Sequence, residues 1–268
     1  MPSSHSPSQI AIPDFDQLVL YTGNVMRTAI NPNACWNKKS NTELMQAIQD
    51  TLETSLFHQP SFHYFSEHKL LEVPDLRRSS RIQPEDRQDV EVTAKLFFLE
   101  NQASTIETSI RHLQQLLDVE SIDTFIVSFD PQQDSASIDK AWKDLEAYHH
   151  QGVISKLGLS DFDETTLEAF LQKNITVKPS IDQVHVDQCC DLPQALIRLG
   201  KQHQIEITFN SDTTDILTTA GLSSVLNKYN IHKHVKPRWV LKYNVFYNHR
   251  SVVADKGYIV MGDVIHNE

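Results

Sequence analysis

The sequence contains little glycine. Seven of its 268 residues are glycine, which is about 2.6%, whereas glycine makes up about 7% of an average protein. The seven are scattered and cannot form the G-x-G-x-x-G pattern of a dinucleotide-binding turn. Gly257 and Gly262 have the spacing of a phosphate-binding loop, but Asp263 and Val264 follow them instead of Lys and Ser or Thr. We therefore expect no phosphate site built from bare backbone amides.

Cysteine, basic charge and long apolar segments are also scarce. Three cysteines do not make a disulfide framework. Asp and Glu outnumber Lys and Arg by 35 to 24, and the net charge of −11 argues against nucleic acid or a membrane as partner. No apolar run approaches the roughly 20 residues of a membrane span. Residues 1–9 lack the basic start and apolar stretch of a secretory signal, so we expect a cytoplasmic protein.

From about residue 88 onward, strand-forming segments alternate with amphipathic helical segments. Strand starts recur roughly every 25–32 residues, which is the spacing of parallel strands joined by helical crossovers. The length is typical of a single (β/α)8 TIM barrel of about 250 residues. A doubly wound open sheet is the alternative that the pattern leaves open. In either fold, ligands bind at the carboxyl ends of the strands.

The amino-terminal part is less regular. We expect residues 1–9 to form a disordered polar tail and residues 10–268 to form a single domain. Residues 27–80 read as an irregular insertion that contains one clear helix. In it, Ser40 and Glu43 have the spacing of a capping box, and apolar residues then recur every four positions.

Lys95 is the first candidate for chemistry, because it interrupts an otherwise apolar strand-like segment. A lysine in such a strand must face polar partners or water. It either points into the mouth of a barrel or lies solvated where the strand ends. The adjacent Cys189 and Cys190 follow another predicted strand and are either a redox-sensitive thiol pair or small apolar filler. The histidine pairs lack a nearby carboxylate or thiol at ligand spacing, so we expect no metal site.

Four segments share a pattern, and they are Thr93-Ala-Lys95, Ile122-Asp-Thr-Phe-Ile-Val127, Gly152-Val-Ile-Ser-Lys-Leu-Gly-Leu-Ser-Asp-Phe162 and Gln183-Val184. Together they resemble the aldo-keto reductase family, and this resemblance favours the barrel over the open sheet.

A second set of segments extends over about residues 20–260. They are Tyr21-Thr-Gly-Asn24, Ile82-Gln-Pro-Glu-Asp-Arg87, Val92-Thr-Ala-Lys-Leu-Phe97, Val177-Lys-Pro179, Gln183-Val184, Cys189-Cys190, Trp239-Val-Leu-Lys-Tyr243 and Lys256-Gly-Tyr-Ile259. These segments resemble more closely one divergent branch, the regulatory (modifier) subunits of glutamate–cysteine ligase.

The reductase resemblance implies a tetrad of Asp, Tyr, Lys and His that acts with NADPH. Lys95 matches the lysine, but Ser128 stands where the histidine belongs, and no Asp and Tyr stand at the expected positions before Lys95. Asp161 replaces an asparagine of the cofactor site. The resemblance therefore implies a vestigial Lys95, no catalytic site, no metal and no required cofactor.

The closer resemblance implies a function in the first step of glutathione biosynthesis. It implies a non-catalytic subunit that binds the glutamate–cysteine ligase catalytic subunit as a heterodimer, improves its use of glutamate and relieves feedback inhibition by glutathione. Two alternatives stay open, which are an NADPH-dependent aldo-keto reductase and a sensor that binds NADPH without turnover.

Candidates for the partner interface follow from residue type. Tyrosine and tryptophan commonly anchor interfaces, and the carboxy-terminal segment is rich in them. The alternative is that these aromatic residues pack inside the barrel. The candidates are Cys189, Cys190, Trp239, Tyr243, Tyr247 and Tyr258.

Overall fold

The computed structural model describes residues 11–28, 39–58, 60–76, 81–100, 104–186, 193–248 and 252–266. The predicted tail and the Cys189–Cys190 pair lie outside these ranges. The described strands are β1 (Gln17–Tyr21), β2 (His63–Phe65), β3 (Leu70–Val73), β4 (Val90–Phe98), β5 (Ile122–Ser128), β6 (Ile154–Ser160), β7 (Ile181–His185), β8 (Glu206–Asn210), β9 (Val235–Tyr247) and β10 (Val252–Val264). The described α-helices are α1 (Val25–Thr28), α2 (Ser40–Leu52), α3 (Thr105–Leu117), α4 (Ser135–His150), α5 (Glu164–Leu171), α6 (Gln194–His203) and α7 (Thr219–Lys228).

Strands β4 to β8 are parallel, and one helix crosses between each consecutive pair. Two of these helices begin at aspartate caps, because Asp134 accepts a hydrogen bond from the amide of Ser137 and Asp163 accepts one from the amide of Thr166. Such caps satisfy amides that have no partner within the helix. The predicted α/β class is confirmed, and this half of the sheet brings five strand carboxyl ends to one edge.

The other half of the sheet departs from eight parallel strands. Strands β9 and β10 each contain 13 residues and pair in an antiparallel manner. They lie in the middle of the sheet, whose order is β2-β3-β1-β10-β9-β4-β5-β6-β7-β8. Strand β10 pairs with β1, and β9 pairs with β4, both antiparallel. The predicted alternation therefore stops after β8, where α7 leads into the β9–β10 hairpin.

The sheet is strongly curved. In a flat sheet, the five steps from β8 to β9 would place these strands about 24 Å apart. Asp212 lies two residues beyond the end of β8, yet its carboxylate is 2.7 Å from Nζ of Lys242 on β9. The carboxyl end of β8 therefore faces β9 across a concave face, which is the curvature expected of a barrel.

Apolar residues pack on both faces of the sheet. Helices α3 to α6 cover the outer face through a cluster that includes Leu113, Trp142 and Phe125. Helices α2 and α7 cover the concave face, where Leu44 and Leu226 belong to a second cluster. None of the described helices is long and apolar enough to cross a membrane.

Gly257 on β10 makes room for a buried tyrosine of β9. A Cβ atom at Gly257 would lie 2.5 Å from the hydroxyl oxygen of Tyr243. That ring is fully buried, and its hydroxyl accepts a hydrogen bond of 2.8 Å from Arg81. The hairpin therefore depends on the missing side chain at this position.

We predict that Gly257→Ala lowers the free energy of unfolding by about 1–3 kcal/mol, because the added methyl group overpacks a filled site. Urea denaturation measures the effect. Gly23→Ala is the matched control, since nothing lies within 4 Å of a Cβ atom there. Equal effects of the two substitutions would contradict the prediction.

Candidate functional site

Polar side chains gather where the parallel strands end. Lys95 lies on β4, and Ser128 is the last residue of β5, in register with Phe97. Lys95 is only 4% exposed and Ser128 only 2%. Lys95 therefore faces the interior of the curved sheet and is not solvated at the strand end. The hydroxyl of Ser128 has no hydrogen-bond partner among the described residues.

One carboxylate holds two lysines together at this edge. Lys95 and Lys242 are directly opposite each other on β4 and β9, an arrangement in which like charges repel. The carboxylate of Asp212 lies 3.4 Å from Nζ of Lys95 and 2.7 Å from Nζ of Lys242. Because Asp212 is 3% exposed, these ion pairs are shielded from water. The cluster is an internal salt bridge that joins the end of β8 to the middle of the sheet.

The charges of this cluster shift its pKa values. Burial lowers the pKa of Lys95, although the charge of Asp212 opposes that shift. Burial alone would raise the pKa of Asp212, but Lys242 and Lys95 bring it to about 2. Asp212 is therefore ionised at neutral pH and serves as the counterion for both lysines.

The first turn of α2 extends the network. The hydroxyl of Ser40 donates a hydrogen bond to Asp212. Glu43 pairs with Lys256 of β10 at 2.7 Å and accepts a hydrogen bond of 2.6 Å from the hydroxyl of Tyr258. The predicted helix is confirmed, but the two capping-box residues bind the sheet and leave the helix start without a side-chain cap.

Tyr258 is the tyrosine that the fold places in this network, and its chemistry does not suit proton donation. Burial, followed by the charge of Glu43, raises the pKa of its hydroxyl far above the usual value. A catalytic acid needs a pKa near the working pH. The position also corrects a prediction, because Tyr258 has no exposed surface to offer a partner.

Two other interface candidates are buried as well. Trp239 and Tyr243 have no exposed surface, and both belong to the cluster on the outer face of the sheet. Their assignment to an interface was wrong, because helices of the same chain cover that face. Tyr247 is 47% exposed, and its role stays a prediction. Cys189 and Cys190 lie outside the described residues.

A buried carboxylic acid that the sequence analysis missed lies on β7. Asp182 is fully buried, and neither of its carboxyl oxygens has a hydrogen-bond partner among the described residues. Burial raises its pKa to about 7, and the amide of Phe162 and the charge of Lys95 only partly oppose this rise. A neutral acid at this position resembles the asparagine side chain in size and charge.

A second buried polar group lies on the outer face. The hydroxyl of Tyr21 is 3.1 Å from a carboxylate oxygen of Glu72 and 2.6 Å from Nδ1 of His112. The three side chains come from β1, β3 and α3, and each is at most 4% exposed. Burial lowers the pKa of His112 to about 4, so its ring is neutral at neutral pH. This group links α3 to the sheet. The spacing of the three residues in the sequence does not predict their contact.

Comparison with protein families decides the affiliation. The model described as "Aldo/keto reductase family" matches residues 76–258, which is more than half of the chain. The chain belongs to the aldo/keto reductase family. In this family member, the match covers the five parallel strands and most of the β9–β10 hairpin.

Individual relatives add a second finding. The protein of Homo sapiens named glutamate–cysteine ligase regulatory subunit is 27% identical over 235 residues, which is 84% of this chain and 78% of the relative. The Bos taurus protein of the same name is 28% identical over 91% of each chain. A solved aldo/keto reductase of Brucella melitensis is 18% identical, with a TM-score of 0.40 over 54% of this chain and 55% of its own. The family assignment depends on the sequence match and not on that structure.

Two polar side chains at the end of β6 in this aldo/keto reductase family member bind each other and the end of β7. The hydroxyl of Ser160 donates to the carboxylate of Asp161 and also lies within hydrogen-bond distance of the carbonyl of Gln183. The same carboxylate accepts a hydrogen bond of 2.7 Å from the amide of His185. A carboxylate has no N–H to donate, unlike the side chain of an asparagine.

We predict effects of different size for two substitutions in the lysine cluster. Asp212→Asn should lower the free energy of unfolding by about 3–5 kcal/mol, because the buried Lys95 and the partly buried Lys242 both lose their counterion. Lys95→Met should change it by about 1 kcal/mol or less, because Asp212 keeps Lys242 as partner and one like charge disappears. Urea denaturation of both variants measures the difference. Comparable losses would show that Asp212 does not serve both lysines.

We predict a pH-dependent gain for Asp182→Asn. The folded state holds the Asp182 proton up to about pH 7, whereas the unfolded chain releases it near its ordinary value. The contribution of Asp182 to stability is therefore full below about pH 4 and is lost as the pH rises toward 7. Asparagine has no proton to lose.

The variant should therefore gain stability relative to wild type by up to about 1.4 kcal/mol per pH unit between pH 4 and 7. Urea denaturation at pH 5 and pH 7 measures this gain. Other titrating groups, including His112, are present in both proteins and cancel in the comparison. A difference that is equal at the two pH values would refute the assignment.

Proposed function

We propose that this chain is a non-catalytic, cytoplasmic regulatory subunit that binds the catalytic subunit of glutamate–cysteine ligase as a heterodimer. The observation that carries the proposal is the 27–28% identity to two proteins named as that regulatory subunit, over 84–91% of this chain. Such a subunit improves the use of glutamate by its partner and relieves feedback inhibition by glutathione, in the first step of glutathione biosynthesis.

The chemistry at the strand ends supports a non-catalytic role. The lysine that matches the reductase residue is bound to Asp212, and the tyrosine in the same network is bound to Glu43. Ser128 stands where a histidine would act, and a serine hydroxyl is a poor general acid or base near neutral pH. In this proposal, the groups at this edge hold the fold together and carry out no reaction.

No cofactor is required in this proposal. The pairing of Ser160 with the Asp161 carboxylate supports this point, because it removes a hydroxyl and adds a negative charge where a carboxamide would bind. The scarcity of glycine supports it as well.

Regulation by such a subunit is a matter of differential affinity. The subunit must bind the form of the catalytic subunit that uses glutamate well more tightly than the inhibited form. By linkage, glutamate then tightens the association of the two subunits by the same factor. The proposal therefore makes a claim about equilibrium binding as well as about rates.

We predict that the purified chain lowers the KM for glutamate of its cognate catalytic subunit by about fivefold or more, a typical coupling between sites. Formation of γ-glutamylcysteine is followed at varied glutamate, with and without an equimolar amount of the chain. A sample unfolded by heat is the control. An unchanged KM, together with no co-elution of the two proteins, would refute the proposal.

The family match favours a second candidate, an NADPH-dependent carbonyl reductase. Titration of NADPH fluorescence and an assay with a panel of aldehydes separate it from the first. We expect neither saturable binding nor NADPH oxidation. Turnover that disappears in Lys95→Met would favour the reductase, and saturable binding without turnover would favour a cofactor sensor.

A further inference from the structure

The end of the β9–β10 hairpin presents two exposed apolar side chains side by side. Tyr247 is 47% exposed, Val252 is 50% exposed, and the two residues are directly opposite each other on neighbouring strands. The other large hydrophobic residues that are similarly exposed in the described ranges come from separate elements, and they are Met26, Phe57 and Ile265. The Tyr247–Val252 pair thus forms a continuous apolar patch at the amino-terminal edge of the parallel strands.

Hydrogen bonds within the chain fix the position of this patch in the absence of a partner. The amide of Asn248 donates a hydrogen bond of 3.0 Å to the carbonyl of Asp89, and its side chain donates one of 2.9 Å to the carbonyl of Gln88. Tyr247 is also in register with the buried Val90 at the start of β4. A preorganised surface loses little conformational entropy on binding.

A cavity of about 270 Å³ lies beside the patch, at the amino ends of β4, β5 and β6. One wall is rigid, because Arg87 donates to the carbonyls of Val90 and Ser121 and pairs with Asp123 at 2.8 Å. The lining residues are Arg87, Gln88, Val90, Glu91, Asp123, Ser155, Lys156 and Asn248. They include two cations and two anions, so the cavity is locally neutral on a chain of net charge −11.

Two of these charges are available to a partner. Arg87 and Asp123 neutralise each other. Lys156 and Glu91 make no hydrogen bond or ion pair with the described residues, and Lys156 is exposed. Nε of Arg87 is buried in the wall and also has no hydrogen-bond partner there. The surface thus combines an apolar anchor, a concave site and one free charge of each sign.

We infer that the hairpin patch and this cavity form the surface that docks the catalytic subunit. The inference rests on the function proposed above. The occupant is a folded protein face that places an apolar side chain on Tyr247 and Val252, an acidic side chain opposite Lys156 and a basic side chain opposite Glu91. Interface centres of this kind combine an aromatic anchor with few uncompensated charges. The docking surface lies at the opposite edge of the sheet from Lys95.

The test measures the Kd between the full chain and its cognate catalytic subunit. Tyr247→Ala should weaken binding by about 30-fold, the loss typical of an interface anchor. Lys156→Glu should weaken it by about tenfold, mainly through slower association at low salt. Met26→Ala and Ile265→Ala are the matched controls, because these exposed apolar residues lie elsewhere and should leave the Kd unchanged.

The outcomes separate this inference from the proposed function. Wild type that binds, together with Tyr247→Ala and Lys156→Glu variants that bind equally well, would overturn the docking surface and leave the function standing. Wild type that does not bind the catalytic subunit would overturn both. Thermal unfolding of each variant shows whether a loss reflects misfolding, and Lys156→Glu changes only an exposed side chain.

Sedimentation velocity of the isolated chain tests the other occupant. A wild type that self-associates and becomes monomeric with Tyr247→Ala would make this surface a contact between two copies of the chain and overturn the inference. A monomeric wild type that binds the catalytic subunit in a 1:1 complex, with the losses given above, supports it.

Discussion

The buried carboxylate of Asp212 is the contact through which distant parts of this chain meet. It offsets the repulsion between Lys95 on β4 and Lys242 on β9, which pairing in the sheet places side by side. It also receives the hydroxyl of Ser40 from the first turn of α2. The buried carboxylate of Asp212 therefore stabilises the curvature of the sheet, the closure of the strand ends and the position of α2.

Lys95 resembles the reductase lysine in its position, and here it has a structural role that the contacts define. Burial and the counterion Asp212 hold its ammonium group inside the curved sheet. The same position on the same fold thus serves stability, which agrees with the general observation that function belongs to a site and not to a fold.

The sequence predicted the parallel half of the sheet well, because each strand and helix there carries its own periodic pattern. It predicted helix α2 but not the use of Ser40 and Glu43, since a capping box and a tertiary polar contact require the same residue types. It could not place Asp182, whose burial depends on residues far away in the chain. The β9–β10 hairpin was missed because a strand pattern does not reveal whether its neighbour runs parallel or antiparallel.

The aromatic candidates failed for a related reason. Residue type suggested that Trp239, Tyr243 and Tyr247 share one role, and they do point to the same face of β9. The first two lie under helices and the third lies beyond their cover, as their exposure shows. An aromatic side chain of β9 packs in the core where helices cover the strand and is exposed to a partner where they do not. The sequence of the strand alone does not show where the covering helices end.

The order of strands in the sheet has a consequence for the synthesis of this protein. Strand β1 lies near the amino end of the chain, but it pairs along one edge with β10, so that Leu18 is opposite Gly262. Until β9 and β10 have been synthesised, β1 and β4 each present an unpaired edge where the hairpin belongs. Contacts between such distant residues form slowly, and open edges favour aggregation. A chain that lacks the β9–β10 hairpin would therefore contain two half-sheets that cannot join.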